Sequence, residues 1–276
     1  MRDVLTYCSD FRQWSSCAGY AAELAATLGA SLTGLHAGEP LPVMPAAGNV
    51  TSGLAEWMAE ATDEVHYAML AGREFAAWAR GLGVEETHWQ VALGDPRDVL
   101  EAAAATADLV VLGRPVQIDA GPMAALLRSV LLSGQPCIVV PLTSCVMGRL
   151  ERIVVAWDGS SASTRSLHAA IPLLRKANDV WLLRAAHPRE SERIVALQPP
   201  FDPLTHLRNH GIEASQETVA THGTAAGHAL LAAASLHRAD LLIAGASGKA
   251  RRSEARLGET TDYLLQHATL PLFLRH

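Results

Sequence analysis

The sequence lacks the features that mark exported, membrane-spanning or nucleic-acid-binding proteins. No apolar run approaches the roughly 20 residues that a helix needs to cross a bilayer. The first seven residues enter a strand-like pattern without the basic stretch and apolar core of a signal peptide. The formal net charge of -6 argues against a basic surface for nucleic acid but leaves room for a local anion site. We therefore expect a cytoplasmic protein with neither a membrane nor a nucleic-acid partner.

Motifs of covalent, hydrolytic and redox chemistry are also missing. The four cysteines form no C-x-x-C pair, and Cys8, Cys17 and Cys137 fall in strand or helix patterns, so we predict buried, reduced thiols. Neither a G-x-S-x-G elbow nor a G-x-x-x-x-G-K-[ST] loop occurs. The sequence therefore predicts no dedicated catalyst.

Twelve histidines invite a metal hypothesis, but their spacing gives it little support. Only His206 and His210 stand four residues apart on a predicted helix, and no carboxylate or cysteine is fixed beside them by the sequence. An ordinary helix face explains this pair better than a metal site does.

An internal repeat organises the chain. Residues 107–113, Ala-Asp-Leu-Val-Val-Leu-Gly, match residues 239–245, Ala-Asp-Leu-Leu-Ile-Ala-Gly. After a helix-sized stretch each is followed by a Pro-led apolar run, at 136–141 and at 271–275. The small, polar segment 143–148 is the predicted linker. We therefore divide the chain into domains at 1–147 and 148–276.

Within each half, short apolar strands alternate with amphipathic helices. Strands that are apolar on both faces belong to parallel sheets covered by helices, and their alternation with helices predicts βαβ units. Each half is thus predicted to be an α/β, doubly wound domain with a five-stranded parallel sheet. We expect the tandem domains to pack as an internal pseudo-dimer through their Pro-led fifth strands, whose edges would otherwise be exposed. The predicted strands are 4–8, 32–35, 84–91, 109–112 and 138–140, then 153–157, 180–184, 213–219, 241–244 and 272–274.

Open parallel sheets bind ligands beyond the carboxyl ends of their strands, where strand order reverses. In the second half, the fourth strand ends at Gly245, Gly248 follows, and nine residues later Gly258 opens the last helix. Glycines let the backbone approach an anion, and a helix N-terminus presents free N–H groups. Turn glycines that merely begin a loop are the simpler alternative.

This glycine spacing resembles the ATP-binding loop of universal stress proteins. The first strand of the second half, Ile153–Trp157, followed by Asp158-Gly159-Ser160, looks like the opening of that family. The resemblance covers nearly the whole chain, because the first half has the same order of elements. It implies the adenine-nucleotide α-hydrolase-like type of fold and a non-catalytic stress-response protein that binds ATP in its second domain.

The resemblance also implies a role for each matching residue. Asp158 would contact the ribose hydroxyls, Ala156 would lie beside the adenine, and Ala185 would offer backbone groups to the base. The remaining residues would form the triphosphate loop: Gly245, Gly248, Gly258 and Thr260. The alternative for Asp158-Gly159-Ser160 is a plain turn and helix N-cap.

The sequence departs from the family pattern at Glu259. ATP-binding members carry Ser or Thr directly after the last glycine. A carboxylate about 4 Å from a phosphate oxygen costs on the order of 1 kcal/mol in water and about 4 kcal/mol at an effective dielectric constant near 20. Basic residues of the same loop would offset this cost: Lys249, Arg251, Arg252 and Arg256. Otherwise Glu259 serves to stabilise the N-terminus of its own helix.

The first half lies further from the pattern. Its fourth strand is followed by Gly113-Arg114-Pro115-Val116, so the second glycine is absent, and Asp10 is the nearest counterpart of Asp158. We expect no nucleotide site of this type in the first domain.

Three functions therefore stay open at this point. The first is a nucleotide-binding stress protein, with unknown protein partners and an assembly that includes a homodimer of chains as an option. The second is an interaction scaffold without nucleotide, for which Glu259 and Val116 argue. The third is a nucleotide hydrolase, which needs metal-binding and leaving-group residues that no cluster in the sequence supplies.

Overall fold

The computed structural model describes residues 1–38, 52–118, 121–142, 148–185, 200–219, 226–246, 248–251 and 254–276. The predicted linker therefore lies almost wholly outside the described residues, and the domain boundary stays a prediction. No helix of the described part is long and apolar enough to cross a membrane.

The described residues of the first half form five strands and four helices in regular alternation. In chain order they are β1 (Asp3–Tyr7), α1 (Ser16–Leu28), β2 (Ser31–Gly38), α2 (Ser52–Gly81), β3 (Thr87–Leu93), α3 (Pro96–Ala104), β4 (Leu109–Gly113), α4 (Pro122–Leu132) and β5 (Cys137–Val140).

The second half repeats this order and adds a hairpin of two strands. Its elements are β6 (Arg152–Trp157), α5 (Ser161–Leu174), β7 (Asp179–Ala185), α6 (Pro203–Asn209), β8 (Ser215–Val219), α7 (Ala226–Leu236), β9 (Leu241–Gly245), β10 (Gly248–Arg251), β11 (Glu254–Leu257), α8 (Glu259–His267) and β12 (Leu272–Arg275).

The helices begin where short polar side chains can satisfy backbone N–H groups. Ser15 caps α1 by accepting from Ala18 N, and Ser160 caps α5 by accepting from Ser163 N. Asp95 and Asp202 cap α3 and α6, each directly before a proline whose missing N–H costs nothing at that position.

Ten of the twelve strands in the described part join one sheet, in the order β3-β2-β1-β4-β5-β12-β9-β6-β7-β8. Within each half the strands of this sheet pair in parallel, and the order is that of a doubly wound domain. The halves meet where β12 pairs antiparallel with β5, with Phe273 opposite Ile138. The predicted fold, with its pseudo-dimer pairing through the Pro-led strands, is confirmed.

Two hydrophobic cores lie on the two faces of this sheet, and each runs through both halves. One joins α1 and α2 to α5 and α6, and the other joins α3 and α4 to α7 and α8. In the first half the former core includes four aromatic rings, those of Trp14, Phe75, Trp78 and Trp89, with neighbouring centroids 5.1–5.7 Å apart. These three tryptophans pack against the buried core as anchors. The Trp57 side chain lies outside the described part.

An arginine from the first half caps a helix of the second. The Arg114 guanidinium donates from Nη1 to the carbonyl oxygens of Ala268 at 2.8 Å, Gln266 at 3.2 Å and Leu265 at 3.4 Å, at the C-terminal end of α8. In return, Arg275 Nε donates to Gly134 O at 3.0 Å, beyond the end of α4. Carbonyls at a helix C-terminus lack intrahelical partners and carry the negative end of the dipole, so a cation stabilises them.

Replacing Arg114 with Met should therefore lower stability by about 1–3 kcal/mol, the range for losing hydrogen bonds from a charged donor. The check is the free energy of unfolding from urea titration. Arg97→Met, at an exposed position of α3, is the matched control and should change it little. Equal effects of the two substitutions would contradict the capping role.

Candidate functional site

The predicted site lies at the point where strand order reverses in the second half. From β6 the chain moves to β7 on one side, while β9 pairs with β6 on the other, with Val155 opposite Ile243. The carboxyl ends of β6 and β9 are therefore neighbours. Ala156 lies near the end of β6, Asp158 follows that strand, and Gly245 ends β9. The structure thus brings three of the predicted residues to one edge of the sheet.

Asp158 and the two residues after it form a tight turn into α5. Ser160 N donates to Asp158 Oδ1 at 3.0 Å, Gly159 has a φ of +82°, and Ser160 Oγ accepts from Ser163 N at 3.2 Å. The turn-and-cap interpretation of this segment is therefore correct. It does not exclude a ligand role, because Asp158 is partly exposed at the carboxyl edge of the sheet.

The start of α5 lies so close to Gly245 that no larger residue fits at this position. A Cβ atom on Gly245 would lie 2.5 Å from Ser163 N and 2.7 Å from Ala162 C. Both are backbone atoms of a helix, so they cannot move aside cheaply. The glycine thus has a packing role beyond the loop role that the sequence suggested, and it brings the end of β9 directly against the first turn of α5.

The segment from Gly248 to Gly258 was expected to be a loop, but its described residues form the strands β10 and β11. Gly248 pairs with Leu257, so the chain returns beside its starting point one residue before Gly258. This register explains the spacing of the motif, because a hairpin of this length places Gly248 next to the start of α8. Sequence reasoning missed the hairpin because its strands are four residues long and polar. The side chains of Lys249, Arg251, Arg252 and Arg256 lie outside the described part.

Helix α8 begins at this hairpin without a side-chain cap. Gly258 is its N-cap residue and has no side chain that could accept a hydrogen bond from the first turn. Glu259 is exposed in that first turn, where a carboxylate favours the helix dipole. Thr260 is half-buried and Thr261 is fully buried, so Thr260 is the nearer hydroxyl to solvent.

Ala185, the remaining predicted site residue, lies on the β7 side of the point where strand order reverses. It is the last residue of β7 and pairs with Val219 of β8, so its backbone lies at the same carboxyl edge as Asp158. The seven predicted residues therefore belong to β6, β7, β9, the hairpin and the start of α8. Their contacts with a ligand stay a prediction.

A model of the universal stress protein family matches the chain twice, over residues 16–131 and 149–274. The chain belongs to the universal stress protein family.

Solved structures of the family share the fold over the whole chain. A universal stress protein from Archaeoglobus fulgidus DSM 4304 is 16% identical, with a TM-score of 0.68, and the match covers 99% of this chain and 97% of that one. A putative universal stress protein from Pseudomonas aeruginosa UCBPP-PA14 is 15% identical, with a TM-score of 0.59, covering 99% and 92%. No curated protein matches the chain. At these identities the likeness establishes the fold alone.

The first of the two universal stress domains differs from the second in the described residues that follow its first strand. Between β1 and the cap of α1 it has residues 8–14, where the second domain has only 158–159. In this longer loop Phe11 is buried against the His36 ring, and His36 Nδ1 lies 2.9 Å from Cys8 O. Asp10 repeats the turn of Asp158 by accepting from Arg12 N at 2.8 Å. Arg114, in the place of the phosphate loop, is used to cap α8.

The cysteines near this loop are inert packing residues. Cys8, Cys17 and Cys137 are free and buried, as predicted, and Cys145 lies outside the described part. Burial raises the pKa of the Cys8 and Cys17 thiols to about 12, so both stay protonated at neutral pH.

Three histidines make ring contacts with one another on the face of the sheet that carries α5 and α6. The His168 and His206 rings are stacked with centroids 4.3 Å apart, and His210 meets His206 at 4.7 Å. Arg175 Nη2 lies 3.3 Å from His210 Nδ1, which places a cation beside that ring. His206 Nε2 is buried without a partner among the described residues, and Asp202 at the start of α6 is engaged as its cap. In the described part, no group of three or more His, Cys, Asp or Glu is arranged to hold a metal.

Substituting Gly245 with Ala should cost about 1–3 kcal/mol of stability, the usual cost of overpacking, because the new Cβ would overlap the backbone of α5. Gly113→Ala is the matched control in the first domain, where the nearest atom to the new Cβ is Cys17 Cβ at 3.6 Å. Urea unfolding should separate the two variants clearly. Similar stabilities would mean that the close approach at Gly245 is not a constraint.

Acid should loosen the histidine stack. Burial, followed by the neighbouring charges of His168 and His210, lowers the pKa of His206 below its ordinary value. The folded form thus binds a proton less readily than the unfolded form. Its contribution to stability is complete above the ordinary histidine pKa, near 6.5, and is lost as the pH falls through the lowered value.

The urea midpoint should therefore fall between pH 7 and pH 5, and His206→Gln should make that fall shallower. His228→Gln, at an exposed position of α7, should leave the pH dependence unchanged. A slope that is the same in wild type and His206→Gln would rule out the stack as its source.

Proposed function

We propose that the second domain binds an adenine nucleotide, ATP with Mg²⁺, beyond the carboxyl ends of β6 and β9, and that the protein acts in the stress response without catalysis. The observation that carries this proposal is the β10–β11 hairpin. By pairing Gly248 with Leu257, it sets Gly248 beside the N-terminus of α8, whose N-cap is Gly258, and two glycines at a helix N-terminus suit an anion.

The other parts of the edge suit the rest of a nucleotide. Asp158 is the acidic residue directly after the first strand of the domain, where a carboxylate accepts from ribose hydroxyls. Ala156 and the backbone at the end of β7 flank it, and these small or main-chain groups leave room for a flat base. The proposal is non-catalytic because the sequence has neither a nucleophile elbow nor a P-loop.

A nucleotide-free scaffold is the second candidate, and one observation favours it. Glu259 is exposed in the first turn of α8, where its negative charge would oppose a phosphate group. The same carboxylate lies in the position where it stabilises the helix dipole, so its presence is explained without a ligand.

Calorimetric titration with ATP and Mg²⁺ tests the proposal. Wild type should show about one site per chain, and Asp158→Ala should weaken binding at least about tenfold, which corresponds to about 1.4 kcal/mol. Asp10→Ala is the matched control, because it breaks the same type of turn hydrogen bond in the first domain. It should leave the affinity unchanged.

Glu259→Ser separates the two candidates further. Removing the carboxylate should tighten ATP binding if phosphates lie beside the start of α8. No binding heat and no thermal stabilisation by millimolar ATP, in wild type and in Glu259→Ser alike, would leave the scaffold as the function to study.

A further inference from the structure

A recess lies on the first domain, near the amino ends of its strands and away from that domain's carboxyl edge. It is a groove of about 290 Å³ on the sheet face that carries α3. Leu5, Thr33 and His88 lie side by side across its floor, because Leu5 pairs with Thr33 and Thr33 with His88. Gln90 lies further along β3, and Ala103 and Thr106 at the end of α3 form a wall.

The internal repeat shows what the second domain does with the same space. Val4 pairs with Leu109 as Ile153 pairs with Leu241, which aligns Leu5 with Val154. Following the strand pairing across the sheet, Trp181 of the second domain corresponds to Thr33 of the first. In the same way, Glu217 corresponds to Gln90. The Ala-Asp pairs that precede β4 and β9 align Ala105 with His237.

The residues at these positions of the second domain pack against one another. The Trp181 indole stacks on the His237 imidazole with centroids 4.5 Å apart and an interplanar angle of 22°. His237 Nε2 lies 2.6 Å from Glu217 Oε2, and the histidine side chain is only 16% exposed. The second domain thus fills with two flat rings the space that the first domain leaves as a groove.

We infer that the groove of the first domain binds a small planar aromatic molecule, in the place that Trp181 occupies in the second domain. Its volume lies just below the range for ligand sites, roughly 300–1,000 Å³, so it suits a molecule of only one or two fused rings. The Thr33 hydroxyl and Gln90 amide offer hydrogen bonds to polar atoms of the ring.

The charge of the groove lining determines which planar aromatic molecules can bind. Asp3 is the one carboxylate among its lining residues, which include no lysine or arginine. This carboxylate disfavours phosphates and carboxylates, so the ligand is neutral or cationic. The groove is therefore independent of the proposed nucleotide site, and nucleotide should not compete for it.

Titration of the ¹⁵N-labelled full chain with indole, tryptamine and indole-3-acetate tests this inference by NMR. Indole and tryptamine should shift the Gln90 side-chain amide and the Thr33 backbone amide saturably. Indole-3-acetate should bind at least about fivefold more weakly, because its carboxylate meets Asp3. Absence of saturable shifts at these two residues with millimolar indole would overturn the inference.

Thr33→Trp should fill the groove from within and weaken indole binding at least about tenfold. Thr218→Trp, at an exposed position of β8, is the matched control and should bind indole as wild type does. His88→Ala removes an exposed lining side chain with little risk to folding and should also weaken binding. Unchanged affinity in both Thr33→Trp and His88→Ala would contradict a site in this groove.

Trp181→Gly tests the equivalence of the two spaces. It should open a second groove and raise the stoichiometry from one indole per chain to two. A single site in this variant would show that the two spaces are not equivalent, and the argument from the repeat would fail.

Discussion

The pairing of β5 with β12 is the constraint on which the rest of the structure depends. These strands are short, and their paired residues are fully buried, including Ile138, Val139, Leu272 and Phe273. Each would be an exposed edge in a separate domain, and an exposed apolar edge invites association with other chains. Pairing them joins two sheets into one and lets both hydrophobic cores run from half to half. The Arg114 and Arg275 caps then link the same two halves at helix ends.

The antiparallel pairing of β5 with β12 separates the candidate ligand-binding edges of the two domains. Because β5 and β12 run in opposite directions, the carboxyl ends of the parallel strands point to opposite edges of the sheet in the two halves. The residues at each point of strand-order reversal therefore come from one domain alone, and these two regions differ between the domains. The second keeps a short turn after its first strand, whereas the first inserts a longer loop with a buried phenylalanine and uses Arg114 to hold its neighbour.

Much of this architecture could be predicted because fully buried strands carry a strong local signal. Runs such as Ile153-Val154-Val155 and Leu241-Leu242-Ile243 are apolar on both faces, so the strands were located to within a few residues. The repeat then supplied the topology. The candidate residues on β6, β7 and β9 followed, because carboxyl ends of neighbouring parallel strands must meet at one edge.

The features that escaped prediction depend on contacts between distant segments. The β10–β11 hairpin has no apolar alternation, and only its register explains why nine residues separate Gly248 and Gly258. The overlap that fixes Gly245 as glycine is set by the start of α5, about eighty residues earlier. The stack of His168 on His206 and the cap from Arg114 likewise join residues whose positions the sequence does not relate. Local propensity carries no information on such pairs.

The central claim is that the second domain, and not the first, holds the nucleotide site. It is tested most directly by mapping backbone amide shifts of the full chain on addition of ATP and Mg²⁺. We expect saturable shifts of the backbone amides of Asp158, Gly245, Gly248 and Gly258. The amide shifts of Asp10 and Gly113 should stay unchanged. Shifts confined to the first domain, or no saturable shift in either, would contradict it.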